Sequence, residues 1–179
     1  MKKIILMLML LMLVAIPVYA EDNVRIGVSP EEGASECAWS DEDVYALKCV
    51  IFWEGVRADC GKRNGTYYMA DPTVYHTCPF ELYLGIGETV LNRVASSEYP
   101  NTIARVCKQK GAFVCKNLPS IAPEVVETLD DVVAELYSAP HQVLPADYVF
   151  FATKKQSCAK DHIRIGDYKG HRLYFGRKK

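Results

Sequence analysis

The sequence has no excess of positive charge. Its 179 residues include 21 Lys and Arg against 22 Asp and Glu, a formal net charge of −1. A nucleic-acid-binding domain normally presents a basic patch or stripe to the phosphate backbone. The charge balance therefore argues against nucleic acid as a partner.

The spacing that marks zinc sites is also missing. The four histidines show no ligand rhythm, and no Cys-x-x-Cys pair occurs among the seven cysteines. Structural zinc sites usually draw their ligands from such regular spacings. We therefore expect no metal and no other cofactor.

Long apolar runs are absent except at the N-terminus. Two lysines precede an apolar stretch at 4–16, and Pro17 and the small residue Ala20 follow it. This order is typical of a secretory signal peptide. The stretch is shorter than the roughly 20 apolar residues of a membrane-spanning helix, so an uncleaved anchor is the weaker alternative. We predict a signal peptide at 1–20 and an exported protein, either periplasmic or secreted and associated with the cell wall, without stable membrane insertion.

All seven cysteines lie beyond this signal. Export places them in an oxidising compartment, where disulfide bonds are expected. The odd count leaves one thiol over, and Cys49 is the candidate because it lies in an apolar helix. Cys60 and Cys78 bracket a polar loop, and this is the first disulfide we predict. Cys107 and Cys115 bracket a second, shorter turn.

The rest of the chain reads as one domain at 40–176, preceded by an irregular segment at 21–39. Helical periodicity changes to strand-like runs after Pro145. The predicted elements are helices at 40–56, 80–95, 101–107 and 123–137, a long loop at 57–79, a strand at 148–151, and a hairpin of 163–165 with 172–175. This order predicts a mostly helical domain with a small C-terminal β-sheet, an α+β class. We expect it to be a monomer.

Glu54 is the candidate catalytic residue. At helical spacing it shares one stripe with Leu47 and Ile51. A carboxylate on an apolar helix face rarely stays buried without a reason. Carboxylic acids in apolar surroundings hold their proton to higher pH, which suits a general acid. The stripe alone leaves two interpretations, a catalytic acid and a core glutamate paired with Arg or Lys.

Several segments, in this order, resemble one known family. They are Val50-Ile-Phe-Trp-Glu54-Gly, Leu91-Asn92-Arg93-Val, Tyr99-Pro100-Asn-Thr, Gly111-Ala-Phe113, Tyr148-Val-Phe-Phe151, and Ile165-Gly with His171-Arg-Leu-Tyr. The chain thus resembles the spore-cortex-lytic, SleB-type cell wall hydrolases. The resemblance implies a lysozyme-like fold that acts on peptidoglycan glycan strands. It also puts Glu54 at the position of the family's catalytic acid.

The chain departs from the family pattern at several positions. The family usually has a second Glu soon after the acid, where this chain ends its run on Asp59. Leu82-Tyr83 replaces the Gly-Gln pair that opens the second helix, and Ala112 replaces the Gln before the aromatic residue. Residues 60–79 resemble an insertion. These changes allow a divergent or inactive member.

The number of carboxyl groups bears on the mechanism. An ordinary glycosidase uses two, and the candidates for a second are Asp59, in a loop, and Glu88, which we expect to be an exposed or paired surface charge. A lytic transglycosylase needs one acid. We therefore expect a lytic transglycosylase that cleaves the MurNAc–GlcNAc bond with Glu54 as acid and base.

Aromatic side chains supply the expected sugar platform, and one amide is expected to bond an N-acetyl group. The candidate substrate-binding residues are Trp53, Asn92, Phe113, Tyr148 and Phe151. Each has an alternative role in the core or, for Asn92, at a helix end. Two other functions stay open. One is a non-catalytic peptidoglycan-binding or envelope-scaffold domain on the same fold. The other, weaker, is a secreted lysozyme inhibitor or small disulfide-rich effector.

Overall fold

The structure, a computed structural model, describes residues 38–71, 78–168 and 171–179. The predicted signal peptide at 1–20 and nearly all of the irregular segment at 21–39 lie outside the described residues. Within the described part of the chain, no helix has the length and apolar character that crossing a membrane requires.

The described residues form four α-helices. They are α1 (Asp41–Glu54), α2 (Phe80–Ala95), α3 (Ile103–Cys107) and α4 (Pro123–Ser138). Ser40 caps α1, where its hydroxyl accepts the Asp43 N–H at 3.2 Å. α3 begins at Ile103, later than the predicted range of 101–107, and the hydroxyl of Thr102 caps it by accepting the Arg105 N–H. Side-chain oxygens at these positions satisfy amides that have no partner within the helix.

The hydrophobic core lies where α1, α2 and α4 meet. Fully buried side chains from all three helices fill it, including Phe52, Ile86 and Leu129. Gly87 lets α2 approach α4 closely, since a Cβ at this position would collide with the Leu136 side chain.

The segment predicted as a loop at 57–79 contains regular structure. Its elements are a short 3-10 helix (Val56–Asp59) and two paired antiparallel strands, β1 (Cys60–Arg63) and β2 (Thr66–Met69). Asn64 and Gly65 join the strands with φ of 49° and 86°. An Asn-Gly pair is the preferred sequence for such a two-residue turn. The loop prediction was wrong because it did not use the Asn64-Gly65 pair, which indicates a hairpin turn.

The C-terminal strands form one antiparallel sheet. They are β3 (Tyr148–Ala152), β4 (Ala159–Tyr168) and β5 (His171–Lys178), in the order β3-β5-β4. On the central strand, Phe175 pairs with Phe151 on one side and Ile163 on the other. Helices at one end of the chain and an antiparallel sheet at the other confirm the α+β prediction.

The predicted Cys60–Cys78 disulfide is wrong. All six described cysteines are free thiols. The β1–β2 hairpin turns the Cys60 sulfur toward the Val56 carbonyl, at 3.3 Å, and the Met69 sulfur, at 4.0 Å. Burial raises the pKa of the Cys78 thiol to about 12, so this thiol stays protonated near neutral pH. Cys49 is a buried free thiol, as predicted.

Glu88 is fully buried, which contradicts the expected surface position. Only 1% of the residue is exposed. Its carboxylate accepts the backbone N–H groups of Gln142 and Leu144, both at 2.6 Å, and that of Val143 at 3.1 Å. Charge-assisted hydrogen bonds of this kind replace the water that a buried carboxylate loses. Glu88 therefore holds the chain that follows α4 against α2.

We expect Glu88→Gln to destabilise the domain. The amide brings N–H donors toward three backbone donors and removes the charge they stabilise, a cost of about 2–3 kcal/mol of unfolding free energy. The melting temperature should fall by about 5–10 °C for a domain of this size. Thermal unfolding followed by circular dichroism measures this. Glu127→Gln on the exposed face of α4 is the control, expected within about 0.5 kcal/mol of wild type. Equal melting temperatures for the two variants would contradict the role of Glu88.

Candidate active site

Glu54 is the last residue of α1. The helix ends at Gly55, where a Cβ would lie 2.8 Å from Ile86 Cδ1 on α2. A residue without a side chain therefore lets α1 end directly against α2. The half-buried Glu54 side chain then faces a cavity of about 90 Å³. The cavity is lined by Glu54, Gly55, Ala58, Cys78, Leu82, Thr153, Arg172 and Leu173.

A segment that follows α3 holds the end of α1. The Val114 N–H donates to Glu54 Oε1 at 2.6 Å. Two residues further along this segment, the Lys116 carbonyl accepts the Trp53 indole N–H at 3.0 Å. Among the described residues, no Lys or Arg forms an ion pair with Glu54, and none donates to its Oε2. The interpretation of Glu54 as a core glutamate in an ion pair thus finds no partner in the described part of the chain.

Trp53 lies beside the cavity rather than in its lining. The Arg57 guanidinium lies 5.3 Å from the centroid of its ring, and the Lys116 ammonium lies 5.8 Å from it. Both distances fall within the range of cation–π attraction. The indole is therefore held by its N–H and by two exposed cations.

Two of the other predicted aromatic residues come together. The Phe113 and Phe151 rings are half-buried, with centroids 5.7 Å apart, and Phe151 also contacts Phe175 at 5.8 Å. Phe113 precedes Val114, so this pair lies one residue from the hydrogen bond to Glu54. The structure thereby brings Phe113 and Phe151 close to the site.

Asn92 and Tyr148 are buried away from the cavity lining. The Asn92 amide donates to the carbonyls of Pro145, at 2.9 Å, and Tyr148, at 2.8 Å. The Tyr148 hydroxyl donates to the Asp161 carbonyl. Asn92 therefore ties α2 to the start of β3, and Tyr148 ties β3 to β4.

Asp59 is buried next to the site but does not line the cavity. Its Oδ2 accepts the Cys78 N–H at 2.9 Å and the Tyr83 hydroxyl. Burial and this hydrogen bond both raise the pKa of Tyr83, so its hydroxyl remains a donor. Tyr83 and Asp59 both lie where the chain departs from the family pattern, and the Tyr83 hydroxyl donates to the Asp59 carboxylate.

Thr153 and Arg172 line the cavity with Glu54, and the sequence did not single them out. Thr153 follows β3 by one residue, and Arg172 is the second residue of β5. Both segments belonged to the family resemblance. The missing information was the strand order, which brings the end of β3 and the start of β5 together.

Comparison with known proteins identifies the family. The profile described as cell wall hydrolase matches residues 79–174, more than half of the chain. The chain belongs to the cell wall hydrolase family. The predicted resemblance is thereby confirmed, and the match includes Asn92, Phe113, Tyr148 and Phe151, while Glu54 precedes it.

One solved structure is similar to this chain. The catalytic domain of the SleB protein of Bacillus cereus has 14% sequence identity and a TM-score of 0.47, and the alignment covers 82% of this chain and 100% of that chain. No curated protein matches this chain.

We expect Asn92→Ala to act on stability. Loss of the amide removes one donor from each of two carbonyl groups, of which that of Pro145 keeps the Tyr148 N–H, a cost of about 1–3 kcal/mol. The melting temperature should fall by about 2–10 °C at this size, while KM for peptidoglycan stays within about twofold of wild type. Asn101→Ala, at an exposed position, is the control. A tenfold rise in KM with an unchanged melting temperature would show that Asn92 binds substrate instead.

Proposed function

We propose that this cell wall hydrolase cleaves peptidoglycan at the MurNAc–GlcNAc bond as a lytic transglycosylase, with Glu54 as acid and base. The observation that carries the proposal is the cavity at the end of α1. Among the described residues that line it, Glu54 is the only carboxylate. The class of substrate, cell wall peptidoglycan, is inferred from membership of the cell wall hydrolase family.

The other two candidate carboxylates support a single-acid mechanism. A two-carboxylate glycosidase places its groups about 5–10 Å apart across the scissile bond. Glu88 instead binds three backbone N–H groups, and Asp59 binds the Cys78 N–H and the Tyr83 hydroxyl. Neither lines the cavity. Both carboxylates therefore serve the fold.

The proposed reaction uses the Glu54 carboxyl group twice. As a neutral acid it gives a proton to the glycosidic oxygen, and the bond from that oxygen to C1 of MurNAc breaks. The resulting carboxylate then takes the proton of the C6 hydroxyl of the same sugar, whose oxygen bonds to C1. This returns the proton to Glu54 and consumes no water. Positioned proton transfer of this kind is general acid–base catalysis.

The surroundings of Glu54 fit these steps. The Val114 N–H holds Oε1, which leaves Oε2 for the proton and supports the negative charge that the first transfer leaves behind. Thr153 and Arg172 offer donors to sugar and peptide oxygens across the cavity. Phe113 and Phe151 form an aromatic pair one residue from the Val114 N–H, and we propose this pair as the sugar platform.

The proposed setting is outside the cytoplasm. Glycan strands lie there, and the predicted signal peptide at 1–20 would deliver the domain to the periplasm or the cell wall. We propose that the mature domain acts as a monomer.

A second candidate function is a non-catalytic peptidoglycan-binding or envelope-scaffold domain. The cavity beside Glu54 measures only about 90 Å³, whereas ligand sites usually measure about 300–1,000 Å³. This leaves little room for a sugar at the proposed acid, which favours a domain that binds glycan elsewhere and does not cleave it. Leu82 fills part of the lining where the family pattern has glycine. Zymography on peptidoglycan separates the two functions, since a binding domain clears no zone.

We expect Glu54→Gln to lower peptidoglycan cleavage about 100- to 10,000-fold, the usual contribution of an acid–base group. The amide oxygen can still accept the Val114 N–H, so the melting temperature should stay close to that of wild type. Turbidity loss of purified cell walls measures activity, with Glu127→Gln as the control. Wild-type rates in the folded Glu54→Gln protein would sink the assignment.

The products should carry 1,6-anhydro-MurNAc ends, because the proposed acid has no partner carboxylate to activate water. Mass spectrometry of the released fragments detects these ends as species lighter by one water. Borohydride treatment provides the control, since it reduces hemiacetal ends and leaves anhydro ends unchanged. Reducible MurNAc as the main product would indicate hydrolysis with a second carboxylate.

A further inference from the structure

Arg93 is a buried cation without a carboxylate partner in the described part of the chain. Only 7% of the residue is exposed, and its Nε donates to the Val149 carbonyl at 2.8 Å. Buried arginines are normally paired with an acidic group. Burial lowers the pKa of the Arg93 side chain, yet arginine keeps its proton in proteins. The charge must therefore be stabilised by other groups.

Aromatic rings surround the guanidinium instead. Its central carbon lies 4.6 Å from the centroid of Phe113, 5.1 Å from that of Tyr99 and 5.7 Å from that of Phe150. The negative face of an aromatic ring attracts a cation within about 6 Å, most strongly where water is excluded. The shortest of these contacts is the one to Phe113.

Phe113 is covalently joined to the residue that binds the proposed acid. The peptide group between Phe113 and Val114 is planar and rigid, and it carries the N–H that donates to Glu54 Oε1 at 2.6 Å. A shift of the Phe113 backbone therefore moves this donor directly. Hydrogen bonds weaken steeply as distance and angle depart from their optimum.

We infer that Arg93 is a positioning residue, which fixes the Glu54 carboxyl group by holding Phe113 and thereby the Val114 N–H. The inference rests on the proposed role of Glu54. Arg93 also binds β3 through Val149, so one side chain sets the distance between the 113–114 segment and the sheet. A misplacement of about 1 Å in an active site can cost about 100-fold in rate.

Steady-state kinetics on the full chain test this role. Arg93→Met keeps an apolar chain of similar length and removes the cation. We expect kcat to fall about 10- to 100-fold with KM within about threefold of wild type, as for a displaced reacting group. Arg93→Lys, which keeps the charge but loses the Nε donor, should recover part of the loss. Val132 is buried on α4 and does not line the cavity, so Val132→Ala is the matched control for lost stability and should keep kcat within about twofold at temperatures where it is folded.

Phe113→Leu provides an independent variant if Arg93→Met does not fold. It removes the ring and leaves the bond from Arg93 to Val149 in place. If Phe113 positions the Val114 N–H, the variant should have a lower kcat and a little-changed KM. If Phe113 only stacks on a sugar, the variant should have a raised KM. If Arg93→Met and Val132→Ala lose equal stability and equal kcat, Arg93 serves only the fold and the inference is wrong.

A measurement without substrate separates this inference from the proposed function. In the NMR spectrum of the 15N-labelled protein, the Val114 amide should respond to pH together with the Glu54 carboxyl group. In Arg93→Met its hydrogen exchange should accelerate at least about tenfold and the response should shrink, since the hydrogen bond opens. Unchanged Val114 behaviour would overturn the inference. If Glu54→Gln stays active while the exchange of the Val114 amide accelerates in Arg93→Met, the proposed function is wrong. The role of Arg93 in holding the Val114 N–H is then still supported.

Discussion

Three side chains of α2 bind six backbone groups in the stretch from Gln142 to Val149, and the position of the sheet depends on them. Glu88 accepts the N–H groups of residues 142, 143 and 144, while Asn92 and Arg93 donate to the carbonyls of 145, 148 and 149. An unpaired backbone group in the interior costs about 1–3 kcal/mol, so the path of this stretch is strongly fixed. It leads directly into β3, whose far end carries Phe151 and Thr153 to the cavity.

Helix α2 also fixes the other side of the cavity, where Glu54 lies. α1 ends where Gly55 meets Ile86 of α2, and this contact sets where the Glu54 side chain begins. The segment after α3 then reaches Glu54 through Val114, while Phe113 rests on Arg93 of α2. The position of each part of the site thus depends on contacts with one buried helix, α2. A domain of this size can hold a precise site on segments far apart in sequence because they share this reference.

The sequence predicted the helices well and the buried polar contacts poorly, for a physical reason. α2 and α4 carry apolar residues at helical spacing, and a periodic pattern is a local property that reports local structure. The burial of Glu88 depends on donors 54 to 56 residues away, which no local pattern reveals. The Asn64-Gly65 turn was a local signal and could have been found. For the site, the resemblance pointed to Glu54, but Thr153 and Arg172 required the strand order.

The hydrogen bonding of the carboxylates distinguishes Glu54, the proposed acid, from the other two. Glu88 binds three rigid backbone N–H groups, and Asp59 binds the Cys78 N–H and the Tyr83 hydroxyl. Both side chains are buried and hold separate parts of the chain together, and neither lines the cavity. Glu54 is bound at Oε1 alone among the described contacts, and it lines a cavity. In the proposed reaction the transferred proton therefore uses Oε2, which accepts no hydrogen bond from the described residues.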